Sequence, residues 1–352
     1  MITSLLKIGI PALLSFLVGI ALTPSLTRWM YRRRMWKRVN RHADNSDEFS
    51  ESYKALHDGE TETSTPRVGG VIIWSSVLIV SAIFLLLAYI FPNPILAELD
   101  YISRSQTFIP LAAFIFGALF GLVEDIFEAH SDRFKNFTHG FSRSALLGLV
   151  FGVSLIFAFW FFVKLDYRTI VLPFIGEWYI GWLFIPYFVL VMVGTFSSRV
   201  IDGMDGLSGG VLAIIFSAFG LIAIVQQQYD IAALCFVIAG GLLAFLWFNI
   251  PPARFYMGET GMFALTLTLP VIAFLLHKSL WILIIGFPLV ATSFTSFTQI
   301  IAKRYFGRKL YPISPLHHYF ESIGWSRAKI VMRYWIFTMM ISIVGVVLAI
   351  IS

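Results

Sequence analysis

Ten apolar runs alternate with polar loops along the chain, at 4–23, 69–91, 106–123, 144–163, 180–197, 207–225, 231–250, 261–276, 280–302 and 330–351. Each is about 16–23 residues long, which as helix crosses the ~30 Å hydrocarbon core of a bilayer. The pattern predicts an all-α polytopic membrane protein of about ten transmembrane helices. Residues 165–180 break the rule. β-forming side chains flank Pro173 and Gly176 there, and a short β-hairpin outside the membrane is predicted. Pro288, two residues after Gly286, predicts a kink in the ninth span.

Charge orients the spans. All but five of the 26 Lys and Arg residues fall in or beside the loops that follow spans 1, 3, 5, 7 and 9; the exceptions are Lys7, Arg104, Lys164, Arg168 and Lys278. By the positive-inside rule those loops face the cytoplasm and both termini lie on the outer side. The longest loop, 24–68, opens with Arg32-Arg33-Arg34 and Lys37-Arg38 and turns acidic and Ser/Thr-rich from Asp44. Its basic part reads as a helix extension at anionic lipid heads. Its acidic part reads as partly mobile, and His42 and His57 within it lack metal-ligand spacing. The first apolar run has no small-residue cleavage pattern after it and reads as an uncleaved helix.

Composition limits what else the chain can be. With 58% hydrophobic and 13% charged residues, and a mean hydropathy of +0.81, one membrane domain fills residues 1–352. The net charge of +6 lies on the cytoplasmic side, where it suits anionic lipid or a phosphorylated substrate. No basic patch stands clear of the membrane, so nucleic acid is excluded as a partner. The single Cys235, inside the seventh span, reads as a buried thiol.

Four polar segments gather at cytoplasmic helix ends. They are Gly121-Leu122-Val123-Glu124-Asp125, Asp202-Gly203-Met204-Asp205-Gly206, the stretch from Phe248 through Asn249, Arg254 and Tyr256 to Glu259, and Pro315-Leu316-His317-His318-Tyr319-Phe320-Glu321. Taken singly, each also reads as an ordinary helix end, turn or structural histidine pair. Together, so many carboxylates on one face require a cation. Mg²⁺ meets that requirement, because it takes oxygen ligands and is commonly held by one or two carboxylates plus substrate phosphates. Asp202 and Asp205, three apart, would share a face if a helical turn joined them. The intervening glycines admit a close phosphate or sugar, and adjacent histidines can donate to a diphosphate. The combination points to phosphoryl transfer onto a lipid. An ion transporter would need its charges at mid-span rather than at helix ends.

In order and spacing, these segments resemble the polyprenyl-phosphate N-acetylhexosamine-1-phosphate transferases, and within them the phospho-N-acetylmuramoyl-pentapeptide transferase branch. The likeness runs from Thr65 to the C-terminus, and its most branch-specific piece is Ser314 to Glu321. It implies Mg²⁺-dependent transfer of a phospho-sugar from a UDP-sugar donor to undecaprenyl phosphate, giving lipid I and UMP in peptidoglycan biosynthesis. It further implies a cytoplasm-facing site and a homodimer. Carried over by position, Glu124, Asp125, Asp202, His317 and His318 are catalytic. Asn249, Asp205, Tyr256 and Arg199 bind substrate, Tyr256 by stacking on uracil, and Glu259 with Asp202 holds the metal. The chain departs from the family in carrying Glu124 and Glu259 for aspartates and Tyr319 for a third histidine. Arg199 stands for an asparagine, Met262 for a serine and Glu128 for a basic residue, and the segment before Thr65 lacks the family's usual nearby lysine. Arg199 and Arg254 offer replacement positive charge. Two other readings stay open: a related transferase using another UDP-N-acetylhexosamine, and a non-catalytic homologue that binds lipid phosphate.

Overall fold

A computed structural model describes residues 2–36, 64–91, 93–130 and 141–352. Most of the expected mobile loop, with Lys37, Arg38, His42 and His57, lies outside the described residues. The chain runs through α1 (Ile2–Arg32), α2 (Gly70–Ile90), α3 (Pro94–Leu99), α4 (Phe108–Ala129) and α5 (Arg143–Lys164) to a hairpin of β1 (Thr169–Leu172) and β2 (Gly176–Tyr179). Then come α6 (Phe184–Ser197), α7 (Leu207–Val225), α8 (Tyr229–Asn249), α9 (Gly258–Leu275), α10 (Ile282–Ile285), α11 (Phe287–Phe306), α12 (Leu316–Ser322) and α13 (Arg327–Ile351). Among the described residues nine helices are long and apolar enough to cross a membrane, and ten when α10 and α11 count as one bent span.

The predicted spans coincide with these helices, and the differences have local causes. Pro24 does not end α1, which continues to Arg32 and closes on that basic residue, favourably placed at a helix C-terminus. The predicted kink in the ninth span is a break. The two halves meet at 85° beside Gly286, and Pro288 sits in the first turn of α11, where its missing N–H costs nothing. The predicted hairpin is present, with Thr169 opposite Tyr179 and Leu172 opposite Gly176.

The buried centre is α7, α8 and α9, with Cys235 inside it. Where apolar surface faces apolar surface in a bilayer, close packing rather than water exclusion drives association. The α4–α9 contact shows this. Gly117 and Gly121, one turn apart on α4, lie directly on the backbone of Phe263, Glu259 and Thr260, where any Cβ would collide. This contact carries the end of α4 onto the first turn of α9. An ion pair between Lys7 and Asp230 joins α1 to α8 at the start of both helices.

Candidate functional site

Two loop segments pair to form the base of the site. Tyr256 donates its backbone N–H to Pro66 (2.8 Å), and Gly69 and Gly70 donate to Tyr256 and Met257 (2.8 Å each). The crossing is so tight that a Cβ at Gly258, whose φ is +73°, would run into the Arg67 carbonyl. The entry into α2 is therefore a clasp between two loop segments. It sets the Arg67 guanidinium 5.8 Å from the Tyr256 ring centroid and brings its charge to bear on Asp202.

The acidic residues arrive on separate elements. The predicted acidic pair does not close α4, which continues to Ala129 and so buries both carboxylates against its neighbours. Glu124 accepts the Phe141 N–H on both oxygens (3.1 and 3.0 Å). Asp125 accepts Glu259 N–H (3.0 Å) and Thr260 N–H (2.8 Å), and so satisfies two donors at the start of α9. Glu259 itself is ion-paired with Arg199, whose guanidinium lies over Phe196 (5.0 Å) and Phe263 (5.4 Å). Asp202 accepts Ser208 Oγ (2.6 Å) and Gly258 N–H (3.3 Å). Burial pushes its carboxyl up to about 6, against the Ser208 hydrogen bond and the Arg67 charge.

These groups line one cleft of ≈ 520 Å³, which brings together Glu124, Asp125, Arg199, Asp202 and Glu259 of the predicted residues. Arg67 and Glu128 also line it, and the opposite wall is α11 with Ser293, Ser296, Phe297 and Ile300. Five carboxylates here face two guanidinium groups, so an anionic substrate needs further positive charge.

The other predicted residues do not line this cleft. No helical turn joins Asp202 to Asp205; residues 202–206 form a turn that ends at Gly206, with φ +79°. The two side chains consequently diverge, Asp202 to the cleft and Asp205 to the Ala253 N–H (3.1 Å). Burial raises the Asp205 carboxyl against that bond and the Arg327 charge. Asn249 is a buried brace: its Oδ1 accepts Gly206 N–H and its Nδ2 donates to the Phe255 carbonyl, both at 2.8 Å. His317 and His318 are buried with their ring nitrogens against Gly203. His318 Nδ1 lies 3.0 Å from Glu321, whose other oxygen accepts Arg327 Nε at 2.7 Å. Tyr256 stands between the two groups, under Arg67. Arg254 is exposed over Phe248 and adds no charge to the cleft.

Sequence reasoning missed Arg67, Ser208 and Phe141 as partners of the acidic groups. Arg67 carried one usable signal, a cation inside the Pro66-to-Gly70 turn. Phe141 carried none, because a backbone N–H is the same at every residue but proline.

Among the described residues no three His, Cys, Asp or Glu side chains group to hold an ion unaided. The cleft still fits a hard divalent cation: its acidic donors are all oxygen, and two carboxylates plus phosphate oxygens is how Mg²⁺ is commonly held. Asp202 and Glu259 are two carboxylates of the cleft that could supply such a pair, and the Glu259 charge acts to raise the Asp202 carboxyl.

Residues 107–277 match the model of glycosyl transferase family 4. Over 341 residues, 94% of either chain, the protein is 29% identical to the phospho-N-acetylmuramoyl-pentapeptide-transferase of Bacillus mycoides (strain KBAB4). It is 28% identical over the same span to that of Bacillus thuringiensis (strain Al Hakam).

Proposed function

We propose that this chain, a member of glycosyl transferase family 4, moves phospho-N-acetylmuramoyl-pentapeptide from its UDP-linked donor to undecaprenyl phosphate, giving lipid I and UMP. The observation that carries the reading is one cleft in which Glu124, Asp202 and Glu259 meet Arg67 and Arg199 at the ends of membrane-length helices. The basic loops support a cytoplasmic position for that cleft in a bacterial membrane.

In this reading an oxygen of the lipid phosphate attacks the sugar-side phosphorus of the donor. A P–O bond forms there, the bond to the bridging oxygen breaks, and UMP leaves with that oxygen. There is little covalent chemistry for side chains to do in such a transfer, so positioning and charge dominate. Arg67 and Arg199 offset the charge of the incoming diphosphate. Glu124, its oxygens fixed by the Phe141 N–H, accepts a proton from the attacking phosphate. Asp202 and Glu259 would hold Mg²⁺, which when bound neutralises phosphate oxygens and polarises the reacting phosphoryl group. Asn249 and Asp205 keep the 202–206 turn in place through Gly206 and Ala253.

UMP release by the purified protein, with UDP-N-acetylmuramoyl-pentapeptide, undecaprenyl phosphate and Mg²⁺, tests the proposal. Release that needs all three and is lost in Glu259→Ala supports it. Release only with a different UDP-N-acetylhexosamine moves the donor assignment. No release from protein that still binds UDP-sugar supports a non-catalytic lipid-phosphate binder.

A further inference from the structure

We propose that Arg199 and a divalent cation compete for the carboxylate of Glu259, so that metal entry hands the Arg199 guanidinium over to the donor diphosphate. The inference rests on the transferase reading and adds a coupling that reading does not contain. Glu259 is in the first turn of α9, its backbone fixed by Asp125, so its side chain reaches into the cleft from a stationary base. One carboxylate oxygen is held by Arg199 Nη1. The guanidinium cannot drift far from the cleft, because it lies over the rings of Phe196 and Phe263. These aromatic faces favour a planar cation whichever anion it pairs with.

The two side chains are about a quarter exposed (22% for Arg199, 30% for Glu259), so the pair is weak enough to exchange. A divalent cation arriving between Asp202 and Glu259 brings more charge than the guanidinium and displaces it. Arg199, kept at the cleft by the two rings, then faces the phosphate oxygens that arrive with the metal. Each event favours the other: the metal frees the arginine for diphosphate, and diphosphate draws the arginine off the metal's ligand. The family's asparagine position could not do this, having no charge to hold or release.

The test is Mg²⁺ alone, titrated calorimetrically into the full chain in nanodiscs. Arg199→Gln should tighten Mg²⁺ binding about two- to five-fold, the release expected from a partly exposed ion pair. In a Glu259→Gln background the same substitution should leave Mg²⁺ affinity unchanged. Arg199→Lys, which keeps a cation but loses the planar group between the rings, should fall in between and serves if Arg199→Gln does not fold. The donor KM should rise in Arg199→Gln while the Mg²⁺ needed for half-maximal UMP release falls. Unchanged or weaker Mg²⁺ binding in Arg199→Gln, or in Arg199→Lys if that is the variant that folds, overturns the competition and leaves the transferase reading standing. Failure of the unaltered protein to bind Mg²⁺ alone overturns the competition, and failure to bind it with the UDP-linked donor also present overturns both.

Discussion

Asp125 Oδ2 lies 2.8 Å from the Thr260 backbone nitrogen, and its other oxygen takes the neighbouring Glu259 N–H. One side chain of α4 thus caps α9, two helices that meet from distant parts of the chain. The acidic residue expected to act on substrate also fixes the helix that presents Glu259.

Asp125→Ala leaves two buried N–H groups without these acceptors. The loss should be about 1–3 kcal/mol of stability, with turnover falling as well. Asp125→Asn, which keeps one carbonyl oxygen, should recover part of the stability. Thermal unfolding in detergent, set beside UMP release, separates the two effects. Equal stability of all three proteins would show that the cap is not needed.

Gly121→Ala places a methyl group on the backbone of Glu259 and Thr260. It should cost on the order of 1–3 kcal/mol and displace Glu124 and Asp125 from the first turn of α9. Gly148→Ala on α5, where a Cβ meets nothing, is the control and should be neutral in the same melting experiment.

Arg67→Ala should raise the donor KM by about ten-fold or more, as loss of a charge-assisted contact to phosphate does. Arg67→Lys should restore part of it. A steady-state titration of donor checks this, and an unchanged KM would remove Arg67 from the binding surface.

Glu321 is the group with a readable pH signature. Burial acts to raise its carboxyl, but the hydrogen bonds from His318 and Arg327, with their charges, outweigh burial and hold it near about 2. A carboxylate so depressed stabilises the fold fully above its ordinary value of 4.5, and that contribution disappears as the pH falls through about 2. Glu321→Gln should therefore lower the melting temperature at pH 6, by an amount equivalent to about 1–3 kcal/mol. The gap to the unaltered protein should narrow between pH 4.5 and 2. A gap that stays constant through acidification would mean that charge plays no part.

The spans were legible because a bilayer-length apolar run has few other meanings, and the hairpin because β-formers flanking Pro173 and Gly176 do not suit a helix. The carboxylates of the cleft were legible as residues but not as partners. Asp125 could be marked as functional, yet nothing in the order of residues says that its oxygens meet N–H groups 134 and 135 positions away. The assumed helical turn from Asp202 to Asp205 failed because Gly206, at positive φ, ends a turn there. Arg67 stayed hidden because its place depends on pairing between the segments around Pro66 and Tyr256. Local pattern is carried by neighbours in the chain, whereas a site is carried by neighbours in space.

The 85° break beside Gly286 has a consequence for how the reaction is supplied. It turns α11 away from α10, and Phe294, Phe297 and Ile300 stand exposed on α11, the last two at the wall of the polar cleft. A substrate with a greasy tail can keep that tail among lipids while its phosphate reaches the carboxylates. The encounter then takes place in two dimensions. Its rate is set by the mole fraction of lipid phosphate in the surface, not by its amount per litre, and diluting the membrane with inert lipid should slow the enzyme where adding buffer does not.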